Sequence, residues 1–412
     1  MIETRRKQEK VILVAVALDD LEKAERSLDE LDELVKTAGA ETAGRMVQLR
    51  DAIHPGTYIG SGKLDELKWL VWEKEADGIV CDDELSPAQI SNLEQVLDCK
   101  IMDRTLVILD IFAARASTRE GKIQVELAQL KYRQSRLTGL GKSLSRLGGG
   151  IGTRGPGEKK LEMDRRLIKS RIAHLNRELS EVRKHREVTR ERRNRNHMPV
   201  CALVGYTNAG KSTLLNTLTG AEVLEEDKLF ATLDPTTRVL TLPGNQKILL
   251  TDTVGFISKL PHNLIEAFRS TLEEAKYADV ILHVADLSNP QMDEQMYVTY
   301  ETLEELGVLN KTVITVFNKC DKAGEDLVIR DFKSDARVVV SARTGQGLDT
   351  LKELLENWIR EQRMEIKRLY PYAEAGKIQM IRAYGEVSKE EYRAEGIYIE
   401  GFVPRELYGK VN

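Results

Sequence analysis

The chain has 412 residues, 41% hydrophobic and 31% charged, enough for two to four domains at roughly 100–200 residues each and for a substantial core. No stretch approaches the ~18 apolar residues of a membrane-spanning helix. The apolar run Val11–Leu18 lacks a signal-peptide cleavage site, and Cys81, Cys99, Cys201 and Cys320 show no C-x-x-C spacing, so neither secretion, a disulfide framework nor a zinc site is indicated. A reduced, cytoplasmic setting is expected. The net charge of −4 conceals an asymmetry: Lys131–Asn196 carries 20 Lys/Arg against 7 Asp/Glu, the remainder 42 against 59. One segment is built for a polyanion, or presents a solvated charged face.

In chain order, Val11–Leu18 is predicted as a buried strand and Asp19–Ala38 as an amphipathic helix. Gly78–Cys81 follows as a short strand and Ser86–Leu97 as a helix opened by Ser86 and Pro87. Residues 1–118 thus read as a small α/β domain. Gly60-Ser61-Gly62-Lys63 resembles a phosphate loop, but Thr57 stands where a glycine is needed and Leu64 follows the lysine, so a turn is expected. Ile123, Leu127, Leu130 and Leu137, then Leu161, Ile168, Ile172, Leu175, Leu179 and Val182, carry the steps of three and four that mark a coiled-coil-like seam. An antiparallel helical hairpin over 119–197 satisfies both runs, its second helix, from about Glu158 to Arg195, reaching ~55 Å.

Between these helices a loop is expected over 138–157, TGLGKSLSRLGGGIGTRGPG, with eight glycines in twenty residues. Glycine lets a backbone approach closely, and Lys142, Arg146 and Arg154, with Lys159 and Lys160 just beyond, supply donors for phosphate oxygens. A basic tip on a basic arm suggests insertion into folded RNA; a disordered linker is the bland alternative. Gly141-Lys142-Ser143 is a second incomplete phosphate loop, with Arg136 where glycine is required.

The strongest signal begins at Val200. A buried strand leads into Gly205-Tyr206-Thr207-Asn208-Ala209-Gly210-Lys211-Ser212 and a helix-like TLLNTL, a complete G-x-x-x-x-G-K-S in its strand–loop–helix context. The loop N–H groups and helix N-terminus would meet the β-phosphate, Lys211 the β- and γ-phosphates, and the Ser212 hydroxyl Mg²⁺. The strand-like Lys247–Thr251 then ends in Asp252-Thr253-Val254-Gly255, whose aspartate can hold Mg²⁺ through its shell and whose glycine N–H can meet the γ-phosphate. Strands over Val280–Ala285 and Thr312–Phe317 lead to Asn318-Lys319-Cys320-Asp321. Asp321, an acceptor only, matches the paired donors of guanine and not adenine. Val338–Val340 delivers Ser341-Ala342-Arg343, whose N–H groups could meet the guanine carbonyl. A GTP-binding domain over 198–363 is expected, with GTP and GDP as ligands.

The segments GGGIGTRGPGE, DRTLVILDIFAARASTREGKIQVELAQL, GYTNAGKS, FATLDPTTR and DTVGF together resemble the HflX-type GTPases, in the translation-factor-related branch of P-loop GTPases. The likeness spans nearly the whole chain. It implies an α/β fold: a P-loop GTPase domain with a mostly parallel sheet, preceded by the small α/β domain and hairpin arm and followed by a small α+β domain over 364–412. FATLDPTTR would be the first switch, placing Phe230, Ala231, Thr232, Leu233 and Asp234 near nucleotide. Thr232 would complete the Mg²⁺ shell with Ser212 and, through water, Asp252; Asp234, Thr236 and Thr237 read as structural. Lys211, Thr232, Gly255 and Asn208 are the candidate catalytic residues, Asn208 by helping to hold K⁺. Phe256 stands where many signalling GTPases have a glutamine that orients water, so slow intrinsic hydrolysis is expected. The implied partner is the large (50S) ribosomal subunit, met by a monomer, in splitting, rescue, stress response or biogenesis; some members also hydrolyse ATP. Lys159 departs from the usual threonine, which touches no catalytic assignment. Within 364–412, Ile378–Ile381 and Gly396–Phe402 read as strands. The competing reading is a regulatory GTPase acting on a protease or membrane partner.

Overall fold

The computed structural model describes residues 8–147, 156–195, 198–220, 229–230, 232–243, 246–260, 274–308, 310–324 and 329–412, with backbone only over 138–147, 156–161 and most of 183–195. Two compact units emerge: Met1–Val182 with Glu225–Asp234 and Val254–Leu272, and Arg183–Leu224 with Pro235–Thr253 and Glu273–Asn412. Two stretches of 198–363 thus group with the first unit.

The first unit opens with β1 (Lys10–Ala17), α1 (Leu21–Ala38), β2 (Glu41–Leu49), α2 (Ser61–Glu73), β3 (Gly78–Cys81), α3 (Pro87–Leu97), β4 (Lys100–Asp103) and α4 (Arg104–Arg115). Its parallel sheet has the order β2-β1-β3-β4. β1 and β3 are apolar and buried nearly throughout, as strands covered on both faces must be. Asp20 caps α1 by accepting from Glu22 N, and Ser86 and Gln89 form a capping box with Pro87 in the first turn of α3. Gly60 is the cap residue before α2, and Ser61–Lys63 begin that helix, where the sequence suggested a turn. The Gly60 N–H donates to Gln48 Oε1 at 2.8 Å, so this glycine braces the neighbouring strand.

The hairpin consists of α5 (Arg119–Leu147) and α6 (Pro156–Arg195). Ile123 and Leu127 share a core with Leu175 and Leu179, flanked by Leu130 and Ile172. Arg119 meets Glu178, Glu126 meets Arg171, and Leu137 O accepts from Arg165, so residue numbers rise on one helix as they fall on the other, an antiparallel register. The expected loop is corrected on one side: 138–147 is helical. Leu137, Leu140, Leu144 and Leu147 continue the three-and-four spacing, and the isolated Gly139 and Gly141 cost the helix only about 1 kcal/mol each. Residues 148–155 lie outside the described residues.

In the second unit β5 (Val200–Gly205) leads to α7 (Lys211–Thr219), β6 (Thr236–Thr241), β7 (Lys247–Asp252), β8 (Val280–Asp286), α8 (Met292–Glu305), β9 (Thr312–Asn318), β10 (Ala336–Val339) and α9 (Leu348–Glu361). The sheet order is β10-β9-β8-β5-β7-β6, parallel except for the antiparallel β6–β7 pair. Then come β11 (Arg363–Tyr370), α10 (Ala375–Tyr384), β12 (Glu386–Arg393), β13 (Gly396–Pro404) and α11 (Arg405–Val411), with an antiparallel sheet β11-β13-β12. Ile378 and Ile381 are buried one turn apart on α10, not on the strand expected there, while Gly396–Phe402 falls within β13. Among the described residues no helix is long and apolar enough to cross a membrane.

The arm seam makes a direct prediction. Leu175→Ala removes a side chain with 1% exposure from the α5–α6 core and should lower unfolding stability by about 2–4 kcal/mol. Leu167→Ala, at a residue 72% exposed on the same helix, should stay within about 0.5 kcal/mol in the same urea titration.

Candidate nucleotide site

β5 lies between β7 and β8 and ends in the phosphate loop. Two glycines of that loop are there for space and backbone angle. Gly205 has φ +151°, and a Cβ would fall 2.2 Å from Val284 O on β8; Gly210 has φ +90°, and a Cβ would fall 2.3 Å from Asn318 Nδ2. Asn208 also adopts positive φ, at 60°, a conformation asparagine tolerates better than most residues. Gly210 then precedes α7, whose first N–H groups have no intrahelical partner, so the helix start offers oriented donors and a partial positive charge.

Lys211 and Ser212 follow on the first turn of α7. The Lys211 amine is buried and donates to Gly205 O at 3.1 Å and Tyr206 O at 2.7 Å. Burial lowers its pKa, Asp252 pulls it back up and Lys319 lowers it again, leaving it at about 8. Ser212 Oγ donates to Asp252 Oδ2 at 2.7 Å, from the first turn of α7 to the end of β7. A hydroxyl and a carboxylate brought together are hard oxygen donors of the kind Mg²⁺ takes, so this pair fits the ion. Thr253 Oγ1 donates to Leu203 O at 2.7 Å and ties the end of β7 to β5.

The residues expected to meet the base follow β9 and β10. Asn318 bridges two loops: its Nδ2 donates to Ala209 O at 2.9 Å, and its Oδ1 accepts from Ala342 N at 2.9 Å. Lys319, with φ +65°, directs its amine to Asp286 Oδ2 at 2.8 Å. Asp321 accepts from Ser341 Oγ at 2.6 Å, and this hydrogen bond holds its carboxyl below the usual carboxylate range. The Ser341 N–H donates to Gln346 O and the Ala342 N–H to Asn318 Oδ1. Two of the three N–H groups expected to meet a guanine carbonyl therefore hold the loop in shape. Cys320 N donates to Val340 O, joining the two loops again. Asp286 and Thr217, whose Oγ1 donates to Ala342 O at 2.8 Å, are supports that sequence reading missed. Only the position of Asp286 at a strand end hinted at its role.

The other candidates belong to the first unit. Phe230, at φ +55°, packs edge-to-face on Phe112 of α4 with ring centroids 4.7 Å apart. Leu233, Val254 and Phe256 are buried, as is Gly255, while Thr232 is half-buried. The Asp234 carboxylate accepts from Ser117 N (2.9 Å), Ser117 Oγ (2.7 Å), Thr118 N (2.9 Å) and Thr118 Oγ1 (2.5 Å). Burial raises its pKa, but the bonds from Thr118 and Ser117 outweigh that and keep it lowered. Asp234 thus caps the approach to α5. Lys259 reaches Asp82 and, at 2.8 Å, Asp83, at the end of β3. Arg104, 1% exposed, binds Asp82, Glu30 and Ser258 O. Ala231 and Arg154 lie outside the described residues, and of Lys142, Arg146, Lys159 and Lys160 only the helical backbone is described. Among the described residues no three His, Cys, Asp or Glu side chains gather as a metal site.

Three family models match in series: a GTP-binding GTPase N-terminal region over residues 25–113, a GTP-binding GTPase middle region over 115–193, and a 50S ribosome-binding GTPase over 200–319. The GTPase HflX of Lacrimispora saccharolytica is 65% identical over 411 residues, covering 100% of this chain and 97% of that protein. That of Caldanaerobacter subterraneus is 50% identical over 99% of this chain and 94% of its own. That of Escherichia coli is 43% identical over 84% and 82%. With a mostly parallel sheet, a complete phosphate loop and a guanine-matching Asp321 on one scaffold, and with likeness along its whole length, the chain belongs to the HflX family of GTPases.

Proposed function

We propose that this GTPase is a factor for the large ribosomal subunit, docking through its hairpin arm and using GTP to control that docking. The observation that carries the reading is the arm itself. Its helices of 29 and 40 residues correspond to about 44 and 60 Å at ~1.5 Å per residue, and the surplus of 20 Lys/Arg over 7 Asp/Glu lies in the same stretch. Paired helices need no such surplus to stay folded, whereas a phosphate backbone attracts it. The matched model described as a 50S ribosome-binding GTPase supports the same partner. Lys142, Arg146, Arg154, Lys159 and Lys160 are the proposed RNA contacts. A protein-directed switch has no comparable observation in its favour.

In the proposed mechanism Lys211 exchanges its two loop carbonyls for the β- and γ-phosphates, and the loop N–H groups and start of α7 hold the β-phosphate. Ser212 and Thr232, with Asp252 through water, would hold Mg²⁺, which when bound neutralises phosphate charge and braces the leaving oxygen. Gly255 N–H meets the γ-phosphate. Phe256 cannot orient water, so acceleration comes either from K⁺ held beside Asn208 within the loop or from a ribosomal group acting from outside. Asp321 and Asn318 fix the base and its loop.

Three measurements test this. Co-sedimentation with separated subunits should show binding to the large subunit that is strongest with a non-hydrolysable GTP analogue and lost on deletion of 148–157; no binding in any nucleotide state refutes the ribosomal reading. Asp321→Asn replaces two acceptors by one donor and one acceptor. It should weaken GTP about 10- to 100-fold, the worth of a hydrogen bond to a charged group, and favour xanthosine triphosphate, whose exocyclic oxygen accepts. Finally, turnover measured with ribosomes should fall when Na⁺ replaces K⁺; an unchanged rate would leave Asn208 with only its backbone role.

A further inference from the structure

Phe230 and Asp234 flank Thr232, and each is fastened to the region where α4 gives way to α5. Phe230 packs edge-to-face on Phe112, one turn before the end of α4. Asp234 takes four hydrogen bonds from Ser117 and Thr118, immediately before α5. Leu233 between them is 3% exposed. Two residues span at most about 7 Å, so fixing Asp234 confines the Thr232 backbone to a small volume. The site is shaped for this carboxylate: a Cβ at Gly121, on the first turn of α5, would lie 2.4 Å from Asp234 Oδ1. Thr118 Oγ1 also accepts from Gly121 N at 3.0 Å, so carboxylate, hydroxyl and helix start form one network.

We propose that Asp234 is a positioning residue for GTP, holding the Thr232 segment ready for the γ-phosphate and Mg²⁺ from a mount at the base of the arm. The inference rests on the reading of Thr232 as the γ-phosphate-sensing residue. A segment fastened on both sides of Thr232 loses fewer conformations when Thr232 is engaged, so the mount strengthens binding of a nucleotide with a γ-phosphate and leaves GDP nearly untouched. The coupling is reciprocal: a nucleotide that engages Thr232 also secures Asp234 on Ser117 and Thr118, and with them the start of α5.

The test compares dissociation constants of the full-length protein for a non-hydrolysable GTP analogue and for GDP, in Asp234→Ala, Gly121→Ala and Thr232→Ala. Gly121→Ala keeps every polar partner and favours the helix, so it should fold even if Asp234→Ala does not. Both the Asp234 and Gly121 variants should weaken the analogue about three- to tenfold while GDP stays within about twofold, and combined they should weaken it no more than Asp234→Ala alone. An unchanged analogue-to-GDP ratio of dissociation constants in Gly121→Ala and Asp234→Ala, with a raised ratio in Thr232→Ala, overturns the positioning role alone. An unchanged ratio in Thr232→Ala as well overturns the reading beneath it. Tighter analogue binding in Asp234→Ala would mean that the mount holds Thr232 back, and also refutes the proposal.

Discussion

Lys211 keeps an ammonium where only 6% of the residue is exposed, and the rest of the nucleotide site is arranged around that burial. With its pKa at about 8 against 10.5 for an ordinary lysine, a charged amine there costs the fold on the order of 3 kcal/mol. The sign follows from linkage: the cost is fully present below pH 8 and is relieved as the pH rises from there toward 10.5. Gly205 O and Tyr206 O and the Asp252 carboxylate compensate in part. A polyphosphate does so more completely, because its own charge meets a cation that water no longer screens. Gly205, Gly210 and Asn318 shape the loop around that amine, so the loop built for phosphate first serves the lysine that must wait for it.

Much of this was legible in sequence because the chemistry tolerates few residue types. Backbone approach demands glycine at 205 and 210, where a Cβ would collide with Val284 O and Asn318 Nδ2. The arm was legible because Ile123, Leu127, Leu175 and Leu179 obey helical spacing. Elements with mixed patterns were not: β2, at the sheet edge, is only partly buried along ETAGRMVQL, and α4, in RTLVILDIFAAR, is buried almost all round and carries no clear period. Ile378 and Ile381 suggested a strand, yet they are spaced for one face of a helix. The extension of α5 to Leu147 was hidden by Gly139 and Gly141, whose cost the continuing leucines outweigh.

Contacts across large sequence separations were the least legible. Asp234 and Ser117 are 117 residues apart, and nothing in FATLDPTTR announces that its aspartate caps the approach to a helix in another stretch of chain. Lys259 and Arg104 converge on Asp82 in the same way. Asp82 directly follows β3, which lies beside β1, near the point where connections from the sheet diverge. Open α/β sheets commonly bind ligands at such a place; here the chain's own lysine and arginine fill the position.

The first unit is discontinuous in the chain, taking in Glu225–Asp234 and Val254–Leu272, and this bears on how the protein is made. A nascent chain grows from its N-terminus at about 5–20 residues per second. Lys259 lies 177 residues beyond Asp82, a delay on the order of ten seconds or more at that rate. Within that interval the start of α5 waits 117 residues, from Ser117 to Asp234, for its carboxylate cap, and Phe112 waits about as long for Phe230. The earliest-translated sheet must therefore persist with unfinished surfaces until residues from the middle of the chain arrive to close them.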